Sequence, residues 1–92
     1  MRAARFYDRG DIRVEEINEP AVKTGQVGID VAWCGICGTD LHEFLDGPIF
    51  CPSAEHPNPI TGEVPPVTLG HEMSGIVNFV GQGVSGLKVG DH

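Results

Sequence analysis

Over residues 27–34 the side chains alternate. Val27, Ile29, Val31 and Trp33 fall on one side, and Gly28, Asp30, Ala32 and Cys34 on the other. A period of two is that of a strand with one face in a core, so a strand is predicted over "QVGIDVAWCGI" with the Trp33 side buried. The period then changes. In "TDLHEFLDG", Leu41, Phe44 and Leu45 recur at helical spacing, Thr39 or Asp40 can cap the start, and Gly47 with Pro48 closes the end. These signals predict a helix of about two turns. Upstream, "RAARFY" and "DIRVEEI" flank "DRG", a hairpin turning at Asp8, Arg9 and Gly10. "NEPAVKTG" then has the proline and glycine punctuation of a surface connection. Between Pro48 and Leu69 lie six of the seven prolines, with neither period. The Ile49, Phe50, Ile60 and Val64 they carry argue for a packed irregular loop over a flexible linker. "HEMSGIVNFVG" returns to strand character, and "QGVSGLKVGDH" reads as a turn entering another strand.

Short strands at this spacing predict a mainly β chain, a small barrel with a short helix. "LKVGDH" reads as the lead into a strand whose body is missing, so a partial chain is expected, a barrel without its closing strands. Thirteen glycines, seven prolines and 40% apolar residues fit a turn-rich folded domain. With 92 residues there is one domain at most, and its core is modest. Six Lys and Arg against 13 Asp and Glu give a net charge of −7. That charge supplies no electrostatic footprint for nucleic acid or an anionic membrane surface. The opening "MRAARFYDRGDIRV" lacks the apolar core of a secretory signal, and no run nears the roughly 18 apolar residues of a membrane span. Cytoplasmic localisation is the expectation.

"GQGVSG", Gly81 to Gly86, is a literal G-x-G-x-x-G. A dinucleotide loop needs a helix to follow it and an acidic residue about 20 positions on. The "LKVGD" that follows looks extended, so a glycine-rich turn is the better reading.

The chemistry concentrates in "CGICGTDLH" and "GHE". The three cysteines, Cys34, Cys37 and Cys51, cannot all pair, and a C-x-x-C pair is cramped for a structural disulfide. Cys34, Cys37, His42, His71, Glu72, Cys51 and His56 are all candidate zinc donors. Three readings compete. A structural Cys₂His₂ site requires a compact second pair, and His42 and His71 are far apart. Cys34 and Cys37 as plain core thiols need no metal. A catalytic site needs fewer ligands and draws on Cys37, where strand gives way to helix, and on His71 with Glu72. Neighbours on a regular strand point to opposite faces, so His71 and Glu72 can share a metal only if Gly70 bends the backbone. Cys51 and His56, among prolines, read as loop residues.

"CGICGTDLHEF" and "GHEMSGIV", followed by "VGQGVSGLKVGD", resemble the amino-terminal catalytic domain of the zinc-dependent medium-chain alcohol dehydrogenases. The "WCGICG" lead-in, "LHEFLDGPIF" and the proline-rich insert before "GHEMSG" are most similar to the butanediol dehydrogenase branch. The resemblance covers essentially the whole chain and implies a GroES-like partly open β-barrel with short helices. It further implies that Cys37 and His71 bind a catalytic Zn²⁺, that Glu72 sits beside the metal and can enter its shell, and that Asp40 orients the ligand histidine. By the same resemblance Thr39 takes the substrate proton, His42 lies on the onward relay, and Cys34 has no ligand role. The family's structural-zinc cysteines and Rossmann domain have no counterpart in this sequence. The implied partners are a small alcohol or ketone, with 2,3-butanediol or acetoin foremost, and NAD, in a full-length homo-oligomer. The 92 residues by themselves are expected to be inactive. The rival is a stand-alone, non-catalytic barrel whose exposed strand edges pair with a binding partner.

Overall fold

The computed structural model describes all residues from Met1 to His92. In chain order the elements are β1 (Arg2–Asp8), β2 (Asp11–Glu16), β3 (Val27–Gly35), α1 (Gly38–Asp46), β4 (Val67–Thr68) and β5 (Glu72–Val80). The chain divides into two compact units, Met1–Asn18 with Ile36–His71, and Glu19–Gly35 with Glu72–His92.

In the first unit β1 and β2 form the expected antiparallel hairpin, from Arg2 opposite Glu16 to Asp8 opposite Asp11. Its turn needs a residue in the left-handed region, and Gly10 supplies one at φ 71°. The short β4 adds to the other edge of β1, giving the order β2-β1-β4. The Arg5 guanidinium secures that edge by donating to Thr68 Oγ1 (3.2 Å) and to the Pro66 carbonyl (2.8 Å). Phe6, in the middle of β1, is fully buried, and Ala3 on the same strand is also buried.

Helix α1 is anchored to this hairpin at its C-terminal end. The Gly10 N–H donates to the Phe44 carbonyl at 2.7 Å, and Arg9 donates to the carbonyls of Gly47 and Asp46, both at 3.2 Å. A cation on carbonyls that have no partner within the helix also complements the negative end of its dipole. Gly47 is the C-cap, as its place before Pro48 predicts. The N-cap is Cys37, two residues before Thr39 and three before Asp40, the caps expected from sequence, so both of these lie inside the first turn. The helix also departs from expectation in what it buries. Leu41, Phe44 and Leu45 are exposed, and the buried side chain is Glu43.

The loop after α1 is irregular, as its prolines dictate, but Ile49, Phe50, Ile60 and Val64 do not pack it. Polar contacts hold it instead. Ser53 and His56 exchange backbone hydrogen bonds, and the Asn58 side-chain oxygen accepts the N–H groups of Ile60 and Thr61. Asx and Ser/Thr turns of this kind substitute for a ladder where periodicity is absent.

The second unit is a two-stranded antiparallel sheet of β3 and β5. Its register shifts between Gly28 and Ile29 and again between Val31 and Trp33. The strand predicted from alternation is present, but its apolar face is not covered: Trp33 is 79% exposed and Val31 is exposed too. Two strands have no second layer against which to bury a face. The buried position is Val77 on β5, which exchanges hydrogen bonds with the backbone at Gly90 and Asp91 (2.8 Å each). No strand follows "GQGVSG". Residues 81–92 form turns, with Gly83 and Gly86 both at φ 83°, so the expected strand at "LKVGDH" is replaced by a turn that returns to β5. The glycine-rich motif is a turn and opens no helix. Mainly β structure in open sheets with one short helix is the resulting class, and no helix is long and apolar enough to cross a membrane.

Candidate metal centre

Helix α1 begins at Cys37, and its first turn carries Thr39 and Asp40. Cys37 is itself extended, at φ −92° and ψ 153°, so its side chain leaves the chain where the backbone changes direction. The Asp40 carboxylate reaches back to the cap, where Oδ2 accepts the Cys37 N–H at 3.0 Å. This is the return half of a capping box, and it satisfies a donor that the helix cannot.

The same carboxylate faces His71. Its Oδ1 lies 3.6 Å from Nδ1 of the imidazole, longer than a hydrogen bond. A carboxylate beside Nδ1 favours the proton on that nitrogen and leaves the Nε2 lone pair free. Nε2 in turn lies 3.3 Å from Thr39 Oγ1. His71 thus meets α1 through both ring nitrogens, and one carboxylate links its ring to the backbone of Cys37. Gly70, just before it, stands at φ 117°, a value that L side chains rarely adopt.

Cys37 Sγ and a ring nitrogen of His71 lie within 4.8 Å of each other. Tetrahedral zinc with ordinary Zn–S and Zn–N bonds holds sulfur and nitrogen about 3.6 Å apart, so the pair is close enough to close on one ion by side-chain adjustment. A thiolate with an imidazole is also a borderline-soft donor set that suits zinc better than magnesium or calcium. Cys34 lies outside this group. It is an exposed residue of β3 whose Sγ is 3.8 Å from the Gly35 carbonyl, and all three cysteines are free of disulfides. Glu72, the residue after His71, is exposed and opens β5. His42 is exposed on α1 and takes no part in the contacts that join Thr39, Asp40 and His71.

A cavity of about 450 Å³ opens beside the pair in the first unit. Thr39, Asp40 and His71 line one side, and Phe50, Cys51 and Glu43 belong to the same lining. Cys51, expected to be only a loop residue, is half-buried there. Burial, and next the Glu43 carboxylate, push its thiol from 9.0 up to about 11. Glu43 is the residue that sequence reasoning missed. Its position three after Asp40 and four after Thr39 places it on their helix face, but the apolar Leu41, Phe44 and Leu45 mask that signal.

The sequence profile described as "Alcohol dehydrogenase GroES-like domain" matches residues 23–92. The chain is 66% identical over 92 residues to an (R,R)-butanediol dehydrogenase of Neisseria gonorrhoeae (strain ATCC 700825 / FA 1090), covering 100% of this chain and 26% of that protein. It is 57% identical over 91 residues to one from Bacillus subtilis (strain 168), covering 99% of this chain and 26% of that protein. The X-ray crystal structure of 2R,3R-butanediol dehydrogenase from Bacillus subtilis superposes with a TM-score of 0.92 at 57% identity, over 98% of this chain and 26% of that one. The chain therefore spans about a quarter of the length of these relatives. The profile match extends over "CGICGTDLH", "GHE" and the turn-rich end together, so the chain belongs to the alcohol dehydrogenase GroES-like domain family.

Proposed function

We propose that these residues form the metal-binding segment of a zinc-dependent oxidoreductase that moves hydride between a secondary alcohol, 2,3-butanediol or acetoin, and NAD. The observation that carries the reading is the convergence of Cys37 and His71, with Asp40 tied to both. The names of the relatives supply the substrate class.

In this reading the Cys37 thiolate and His71 Nε2 would hold the metal, and Glu72, adjacent in the chain, would offer a carboxylate. A bound zinc ion would supply the Lewis acidity that makes an alcohol O–H acidic near neutrality, and NAD would serve as hydride acceptor. Asp40 keeps the His71 proton on Nδ1 and so keeps Nε2 a donor. Thr39 Oγ1 lies 3.3 Å from Nε2. With a metal bound, the Thr39 hydroxyl would take the alcohol proton, and His42, three residues further along α1, would receive it for release. The alcohol proton thus leaves through side chains of α1 while the electron pair leaves with hydride.

Zinc uptake by variants tests the ligand set. Cys37→Ser and His71→Ala should each weaken zinc binding strongly, and Cys34→Ser should leave it unchanged. Equal losses at Cys34 and Cys37 would point to a different site. Diol-dependent reduction of NAD is expected of a full-length enzyme containing this segment and not of these 92 residues alone.

A further inference from the structure

We propose that Glu43 is a positioning residue that sets the wall of the substrate cavity; the inference rests on the oxidoreductase reading above. Glu43 is the one buried charged side chain of the protein, 3% exposed. No Lys, Arg or His forms an ion pair with it. Three consecutive backbone amides meet it instead: Ile49 N–H donates to Oε2 at 2.9 Å, and the Phe50 and Cys51 N–H groups both donate to Oε1, the latter at 3.2 Å. Only a carboxylate brings two acceptor oxygens and no donor to such a cluster, and an amide in its place would turn an NH₂ towards an N–H. Burying a charge without a counter-charge is costly, so the clamp has to secure something worth that cost.

What it secures is placement. Glu43 shares a helix face with Thr39 and Asp40, and Phe50 and Cys51, whose amides it grips, line the same cavity as Thr39, Asp40 and His71. Phe50 is 79% exposed, so packing does not fix its ring. The backbone clamp fixes the point of the wall from which that ring projects. Gly47 makes the approach possible, since a Cβ there would collide with the Glu43 carbonyl and crowd its carboxylate. Glu43 is therefore a strut between the proton-handling end of α1 and the wall that meets the rest of the substrate. It governs how well a diol is held and leaves the chemical step alone.

The test uses the full-length enzyme carrying these residues, assayed with 2,3-butanediol and NAD. Glu43→Gln should raise the KM for butanediol about tenfold, the scale of losing hydrogen bonds to a charged group, while kcat and zinc content stay near the parent values. Phe50→Ala, at an exposed position that unfolding cannot confound, should raise KM as well. Adding Glu43→Gln to it should then cost little more, because both act through one wall. Unchanged KM in either single variant, or a loss of zinc with kcat in Glu43→Gln, overturns the proposal. A parent enzyme that holds zinc but oxidises no diol defeats the oxidoreductase reading instead. In that event, hydrogen exchange of the amides of residues 49–51, expected to quicken in Glu43→Gln, still decides whether the clamp exists.

Discussion

Oδ1 of Asp40 lies 3.6 Å from Nδ1 of His71, while the other oxygen of that carboxylate accepts the Cys37 N–H. One side chain thereby faces the imidazole and caps the backbone that carries the thiol. Asp40→Asn retains an acceptor for the Cys37 N–H but removes the charge facing Nδ1, so the helix should keep its cap while the ring loses its preferred tautomer. Zinc affinity should fall roughly 10- to 100-fold with little change in helix content, as read by chelator competition and circular dichroism.

Gly70 sets the direction from which His71 approaches. At φ 117° the backbone of an alanine would be strained. Gly70→Ala should cost about 1–2 kcal/mol of stability and weaken zinc binding by moving the ring. Unchanged zinc affinity in a destabilised variant would separate the turn from the site.

The thiol of Cys51 is raised from 9.0 to about 11, by burial first and by Glu43 next. A group whose pKa is raised on folding stabilises the fold fully below its unfolded value, and that contribution is lost as pH rises through the folded value. The stability curve should therefore decline between pH 9.0 and about 11, and Cys51→Ala should flatten this decline. At mildly alkaline pH an alkylating reagent should modify the exposed Cys34 well before Cys51. Mass spectrometry of the labelled chain reads the order.

Phe6 is fully buried in a unit with few other buried apolar side chains. Phe6→Ala should cost about 3–5 kcal/mol, a large share of the stability of a small domain. Urea denaturation should show the β1–β2 hairpin signal lost at much lower denaturant, or absent altogether in water.

The local rules were legible in the sequence because they act over a few residues. Gly10 marks the hairpin turn, alternation marks β3, Gly47 and Pro48 end α1, and the want of a helix after Gly86 disposes of the dinucleotide motif. The pairing of Cys37 with His71 was one of three readings the residues allowed, and only the family resemblance favoured it, since no periodicity relates residues on either side of a long irregular loop. Tertiary structure decided what local patterning has no means to express. It left the Trp33 face of β3 exposed, since a two-stranded sheet has no second layer. It buried Glu43 in place of Leu41 and Phe44, since three backbone amides of the following loop converge on that carboxylate. It also set Asp40 between the Cys37 backbone and the imidazole, because a helix cap and a distant histidine meet only once the chain has folded.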